Sequence, residues 1–181
     1  NGEFPMVGLD EKVRRNLRVM FATHVFDPER KTGSLNTAAH QAVARHIAEE
    51  GIVLLKNENG ALPLNSKSVK SIAIIGDNAV RLQANEGGSS QVKAIYEITP
   101  LKGILKQVGK NVNLTFSQGY AKNGGPDLAE RAIAAAKAAD VVIFVGGLNH
   151  DAGFDCEDAD RKNLKLPYGQ DALIERIVSA N

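Results

Sequence analysis

The sequence predicts an α/β fold with a mostly parallel sheet flanked by helices. Three short apolar runs predict strands, at residues 71–76, 112–116 and 141–145. Segments with helical patterning follow these runs, at residues 99–108, 127–139 and 168–180. Strands that alternate with helices of this length form βαβ units, and the strands of such units lie parallel in one sheet.

The chain begins with a predicted helix over residues 9–26. Its apolar positions recur at helical spacing: Leu9, Val13, Leu17, Met20 and Phe21. Pro28 favours an end just before it, because the residue that precedes a proline is pushed out of helical space. A polar segment that contains Gly33 follows. We therefore expect a linker between this helix and the next.

A second helix is predicted from an N-cap at Asn36 or Thr37 to Gly51. Both cap candidates have side-chain oxygens that can accept a bond from an unpaired N–H of the first turn. The apolar run at residues 52–56 then predicts a short strand, and a turn signal follows it at residues 59–60.

The core elements have local signals of their own. Residues 71–76 and 141–145 are apolar enough for strands buried on both faces, and we expect 141–145 to be the most buried strand. Apolar and polar residues alternate over 112–116, which predicts one solvated face. Thr99 and Pro100 supply a cap and a first residue for a helix. The last helix is expected to bury four residues: Leu173, Ile174, Ile177 and Val178.

Three or four strands are visible, and the chain ends where a further strand is expected. It also begins without a methionine. We therefore expect a fragment, truncated after the third core strand and its helix. An incomplete sheet leaves an unpaired edge, which predicts marginal stability or a missing partner.

The composition excludes several classes of function. The 181 residues include 22 basic and 21 acidic side chains, for a net charge of +1, and no basic run predicts nucleic-acid binding. No apolar stretch approaches the roughly 20 residues that cross a bilayer. Neither a GxGxxG motif after the first strand nor a GxxxxGK[ST] motif is present, which argues against a nucleotide cofactor. Cys156 is the only cysteine, so no internal disulfide can form.

The long segment after the third strand, residues 146–167, is the main candidate for function. It has little periodicity and includes five acidic residues: Asp151, Asp155, Glu157, Asp158 and Asp160. Compact domains rarely keep such loops unless the loop is functional or disordered, and ligands gather at the carboxyl ends of parallel strands. Calcium-loop and zinc-ligand spacings are absent, so we predict no metal.

The acidic loop fits carboxylate acid/base chemistry better than metal binding, and Glu157 is one candidate, although these residues alone do not single it out from its acidic neighbours. A general acid keeps its proton through partial burial or neighbouring negative charge. Phe154 supplies an apolar neighbour, and the adjacent aspartates supply the charge. The residues alone leave a solvated acidic loop as an alternative. A glycine- and serine-rich stretch, residues 87–91, could present N–H groups and hydroxyls to a ligand, or be an ordinary turn.

Five stretches resemble, in order, motifs of glycoside hydrolase family 3, the β-glucosidase and β-xylosidase family. They are LDEKVRRNLRVMF (9–21), EEGIVLLKNENGALPL (49–64), SIAIIGDNA (71–79), GGSSQV with ITPLKGI (87–92 and 98–104), and GGLNHDAGFDCEDADRKNLKLPYGQ (146–170). The resemblance is to the C-terminal α/β-sandwich domain of that family, which is flavodoxin-like. It implies that residues 1–27 end a missing N-terminal barrel, residues 28–36 form a linker and residues 37–181 an incomplete sandwich domain.

The resemblance also implies roles for individual residues. The family's acid/base loop often reads E-G-x-D-R, which matches residues 157–161 here and makes Glu157 the acid/base. Asp160 and Arg161 match the following pair and are expected to shape the loop. The sequence departs from the family pattern in two places. Asp158 stands where the family usually has glycine, and the tryptophan that many relatives have shortly before this glutamate is absent. As substrate-binding residues we predict Phe154, Ser89 and Ser90.

Family resemblance implies a retaining enzyme that hydrolyses terminal β-linked sugars with two carboxylates and no cofactor. The nucleophile of the family is an Asp on the barrel, so the segment alone is expected to be inactive and to need the barrel as its partner. Two alternatives stay open: a non-catalytic flavodoxin-like binding or assembly module, and a degenerate family member.

Overall fold

The computed structural model describes residues 5–65, 67–84, 88–157 and 160–181, with the side chain of Ser90 also left out. The chain divides into two compact units, Asn1–Asn57 and Glu58–Asn181. They are described separately below. Among the described residues, no helix is both long enough and apolar enough to cross a membrane.

The first unit contains two helices, α1 (Met6–Ala22) and α2 (Ala38–Gly51). Helix α1 ends earlier than predicted, because His24 adopts a left-handed conformation with φ 58°. The Thr37 side chain caps α2 by accepting a bond of 3.2 Å from the His40 amide, and α2 ends at Gly51 as predicted.

The strand predicted at residues 52–56 is absent from the first unit. These residues have no regular secondary structure, and Leu55 is 92% exposed. An apolar run forms a strand only where another strand can satisfy its N–H and C=O groups. None of the described strands forms a ladder with residues 52–56, so the prediction was wrong for this structure.

The second unit is built on three parallel strands, β1 (Ser71–Ile75), β2 (Asn113–Ser117) and β3 (Val141–Phe144). Their order in the sheet is β2-β1-β3. In the register of the sheet, Ile74 lies between Phe116 and Ile143. The predicted α/β fold with a parallel sheet is therefore confirmed.

The central strand is β1, and it is also the most buried. Ala73, Ile74 and Ile75 have no exposed surface, whereas all four residues of β3 are only half-buried. The prediction that residues 141–145 form the most buried strand was wrong. Apolar composition is similar in β1 and β3, but β3 has a neighbouring strand on one side only among the described residues.

Helices cover both faces of the sheet. On one face, Ile72 and Ile74 pack against α3 (Pro100–Val108). On the other, Ala73 and Ile75 pack in a core with α4 (Pro126–Lys137) and α5 (Gln170–Ala180). Thr99 caps α3 as predicted, accepting a bond of 3.3 Å from the Lys102 amide.

Helix α5 buries a narrower stripe than its sequence predicts. Leu173 and Ile177 are buried against α4, but Val178 is 74% exposed. Residues four apart lie on one face of a helix, whereas Val178 is rotated by about 100° from Ile177. Ile174 and Val178 instead line an open groove beside β3. The inward position predicted for Val178 was therefore wrong.

Candidate functional site

The loops that follow β1 and β3 leave the sheet side by side. Gly76, directly after β1, has φ 134°, and a Cβ atom at this position would lie 2.1 Å from the Val145 carbonyl oxygen. Only glycine permits this approach. The two loops therefore begin in contact, at the carboxyl edge where parallel sheets bind ligands.

A polar cluster links these loops. Asp77 is buried and accepts a hydrogen bond from the Arg81 Nε–H and another of 2.7 Å from Gln118, which follows β2. The other two guanidinium nitrogens of Arg81 lie 3.3 Å from the two carboxylate oxygens of Asp151, in the loop after β3. Side chains that follow all three strands are thus linked through Asp77 and Arg81.

Tyr168 extends the cluster towards α5. Its hydroxyl donates a hydrogen bond of 2.5 Å to Asp151. This bond and the Arg81 guanidinium lower the pKa of the Asp151 carboxyl below its usual range. Burial and the same bond to Asp151 raise the pKa of Tyr168. Near neutral pH the pair is therefore an ionised Asp151 and a neutral Tyr168.

The base of the loop after β3 is held by buried amide side chains. Gln170 has no exposed surface; it donates a bond of 2.9 Å to the Gly147 carbonyl and accepts one of 2.8 Å from the Gly147 amide. Asn149 is equally buried and accepts a bond of 2.9 Å from the Asp151 amide. These bonds satisfy backbone groups that a loop otherwise exposes to water.

Tyr120 packs beneath the cluster. Its hydroxyl donates a bond of 2.9 Å to the Val145 carbonyl and accepts one of 3.4 Å from the Asn78 amide. Its ring lies 5.9 Å from that of Phe144 and 6.5 Å from that of Tyr168. Burial raises the pKa of Tyr120 to about 12, so the hydroxyl stays protonated over the ordinary pH range.

Glu157 lies further along the loop and is exposed. The Ser89 hydroxyl donates a hydrogen bond of 2.5 Å to Glu157 Oε1. Gly88 has φ 53°, and a Cβ atom there would lie 2.5 Å from Glu157 Oε2 and 3.0 Å from Glu157 Cβ. The carboxylate therefore lies directly over the glycine- and serine-rich turn, so two candidate stretches of the sequence are in contact.

The other predicted site residues are less closely grouped. The Phe154 ring packs edge-on against Tyr168, with centroids 5.4 Å apart, and is half-buried. The side chains of Asp160 and Arg161 are exposed. Asp158 and the Ser90 side chain lie outside the described part of the chain. Within that part, no group of His, Cys, Asp and Glu side chains is arranged to hold a metal ion.

Sequence reasoning missed most of the cluster that supports the loop. Its missed members are Asp77, Arg81, Tyr120, Asn149, Tyr168 and Gln170. One signal was available: Asp77 and Asn149 follow closely after strands, where a buried polar side chain can bind the loops that leave the sheet. The contact of Arg81 with Asp151 and that of Gln170 with Gly147 have no such signal, because these partners lie 70 and 23 positions apart in the sequence.

The sheet order and the loops at its carboxyl edge define a flavodoxin-like α/β domain with helices on both faces. The chain belongs to glycosyl hydrolase family 3. The family model described as "Glycosyl hydrolase family 3 C-terminal domain" matches residues 52–181. The family resemblance noted in the sequence is thereby confirmed.

Sequence similarity to individual glycosidases supports the same family assignment. The chain is 37% identical to "Beta-glucosidase BoGH3A" of Bacteroides ovatus over 99% of its own length and 26% of that protein. It is 32% identical to a "Beta-xylosidase" of Formosa agariphila over 93% of its length and 25% of that protein. It therefore spans about a quarter of these relatives.

Solved structures agree in fold. A GH3 β-glucosidase from Bifidobacterium adolescentis aligns with a TM-score of 0.70 and 29% identity, over 84% of this chain and 22% of that one. A β-glucosidase "involved in saponin metabolism", from intestinal bacteria, aligns with a TM-score of 0.75 and 25% identity, over 94% of this chain and 28% of that one.

Proposed function

We propose that this chain is the segment of a longer retaining β-glycosidase that supplies its general acid/base, Glu157. The main support is the position of Glu157: an exposed carboxylate on a long loop at the ligand-binding edge, while the base of that loop is firmly bonded. Membership of family 3 supports the reaction class. An exposed carboxylate can reach a sugar that is bound by another part of the protein.

In this mechanism Glu157 protonates the glycosidic oxygen as the bond to the sugar breaks, and a second carboxylate attacks the anomeric carbon. Glu157 then takes a proton from the water that hydrolyses the glycosyl-enzyme. Retention of configuration requires the two carboxyl groups to lie about 5–5.5 Å apart.

The second carboxylate comes, on this proposal, from a barrel domain of the longer protein. Asp77 and Asp151 are unsuited to the role because both bind Arg81. Residues 1–27 would be the last helix of that barrel, residues 28–36 the linker and residues 37–181 the sandwich domain. The isolated segment should therefore show no hydrolysis.

The substrate is proposed to be a terminal β-linked sugar, of the kind that the names of the glucosidase and xylosidase relatives indicate. Phe154 presents a half-buried ring three residues before Glu157, and it is proposed to contact the sugar or its leaving group. Ser90 remains a predicted substrate contact, and Asp160 and Arg161 remain predicted to shape the loop. No cofactor is needed for this chemistry.

The test compares Glu157→Gln with Asp155→Asn in the full-length protein. Asp155 is an exposed carboxylate of the same loop and serves as the matched control. Glu157→Gln should reduce kcat/KM by about 10²–10⁴ for aryl β-glycosides with poor leaving groups, and much less for activated ones, whose departure needs no proton. Asp155→Asn should retain near-normal activity.

A second measurement separates the base role from the acid role. With an activated substrate, Glu157→Ala should accumulate the glycosyl-enzyme, because no base activates water. Added azide needs no deprotonation and should restore turnover, giving a β-glycosyl azide. Full activity of Glu157→Gln on poor leaving groups would refute the assignment, and loss in Asp155→Asn instead would transfer the role to Asp155.

A further inference from the structure

Two loops meet at the proposed acid/base, and they come from neighbouring strands. Glu157 belongs to the loop after β3, whereas Ser89 and Gly88 belong to the connection between β1 and α3. The Ser89 hydroxyl bonds to one carboxylate oxygen of Glu157, and the Gly88 backbone lies beneath the other. The Glu157 carboxylate is thus contacted by an element other than its own loop.

The same two loops are joined a second time, nearer the sheet. Arg81 follows β1 and Asp151 follows β3, and their ion pair is mostly buried, with side-chain exposures of 27% and 23%. The buried carboxylate of Asp77 also binds Arg81, at Nε, while Asp151 contacts the other two guanidinium nitrogens. The pairing at Arg81 and Asp151 therefore restrains the start of both loops.

We propose that the connection after β1 is the positioning element for the acid/base, with Ser89 orienting the Glu157 carboxylate and Arg81 holding the two loops in register. This inference rests on the proposed function of Glu157. A catalytic group must be held within roughly 0.5 Å and 10–20° of its productive geometry, and an exposed glutamate with several rotatable bonds does not achieve this unaided.

Serine suits this position for a chemical reason. A general acid/base alternates between its protonated and ionised forms during each catalytic cycle. A hydroxyl can donate to the carboxylate and accept from the carboxylic acid, so Ser89 can keep its bond in both forms. A cationic side chain in this place would only donate and would favour the ionised form.

The test of Ser89 uses Ser89→Ala and Ser89→Thr in the full-length protein. Ser89→Ala should lower kcat and kcat/KM together, by about 10-fold, for poor leaving groups, because the lost interaction acts in the transition state. For activated substrates kcat/KM should be nearly unchanged, and Ser89→Thr, which keeps the hydroxyl, should recover most of the rate on poor leaving groups. A raised KM for both classes of substrate would instead show that Ser89 binds the sugar directly and would overturn the proposal.

The test of Arg81 uses Arg81→Lys, with Arg131→Lys as the matched control. Lysine cannot span Asp77 and Asp151 as the guanidinium does. Arg131 forms an exposed ion pair with Asp127 on α4, away from the loops. Arg81→Lys should show the same leaving-group dependence as Ser89→Ala, and Arg131→Lys should show none. An equal loss for all substrates in Arg81→Lys would indicate general destabilisation and contradict a positioning role.

Combining these changes with Glu157→Gln separates the two proposals. If Ser89 and Arg81 act through Glu157, neither change should reduce the residual rate of Glu157→Gln further. If either change lowered the rate of Glu157→Gln by as much as it lowers the wild-type rate, the positioning role would be overturned, while Glu157 would still be the acid/base. Normal activity of Glu157→Gln alone would instead refute the proposed function itself.

Discussion

Arg81 and Asp151 join the loops after the first and third strands through two contacts of 3.3 Å. Seventy positions separate them in the sequence, and the parallel pairing of β1 with β3 brings them together. Removing one member of a mostly buried ion pair is costly, because the other charge is left unpaired. This ion pair therefore stabilises the carboxyl edge of the sheet and also helps to position the loop that contains Glu157.

Gly88→Ala should reduce activity more than Gly60→Ala. Both glycines have left-handed φ angles, of 53° and 64°, so an alanine at either pays a similar backbone cost of about 1 kcal/mol. A Cβ at position 60 meets nothing within 4 Å, but a Cβ at position 88 displaces Glu157. We expect about 10–100-fold lower kcat/KM on poor leaving groups for Gly88→Ala alone. Equal activity of the two variants would contradict the close contact.

Gln170→Leu should lower the free energy of unfolding by about 2–5 kcal/mol. The substitution keeps the approximate size of the side chain but leaves the N–H and C=O groups of Gly147 without their partner. Gln107→Leu is the control, since Gln107 is exposed on α3. Chemical unfolding followed by circular dichroism measures both. A change below about 0.5 kcal/mol in Gln170→Leu would show that water replaces these bonds.

Alkaline pH should destabilise the second unit through Tyr120. Its pKa is raised to about 12 in the folded chain, against about 10 when unfolded. A raised folded pKa means that the stabilisation is complete below about pH 10 and is lost as the pH rises through about 12. Two pKa units correspond to about 3 kcal/mol. Urea unfolding between pH 8 and 12 should show this loss.

Tyr120→Phe should reduce the fall in the free energy of unfolding that is expected between pH 8 and 12. The variant loses about 1 kcal/mol at neutral pH with the bond to the Val145 carbonyl, but it no longer titrates. Part of the alkaline loss of stability should remain in this variant, because burial also raises the pKa of Tyr168. Tyr96→Phe, at a position 53% exposed, should keep the wild-type slope. An unchanged slope in Tyr120→Phe would assign the alkaline loss to another group.

Much of the fold could be predicted from sequence because its signals are local. Apolar runs located β1, β2 and β3, and Thr99 with Pro100 located the start of α3. The errors concern burial and pairing. Val178 was expected to face inward, and residues 52–56 were expected to form a strand. The burial of Val178 and the pairing of residues 52–56 depend on which other elements lie beside them in the fold. Periodicity along the chain does not indicate those neighbours.

The sequence by itself determined the α/β class, the family and the choice of Glu157 as a candidate, since motif residues are close together along the chain. Only the tertiary structure decided that β1, and not β3, is the central strand, and that Ser89 lies against Glu157. The strand order also brought Arg81 to Asp151. The physical reason is that a parallel sheet gathers the ends of strands that are far apart in the chain, so these contacts depend on strand order and have no trace in local patterning.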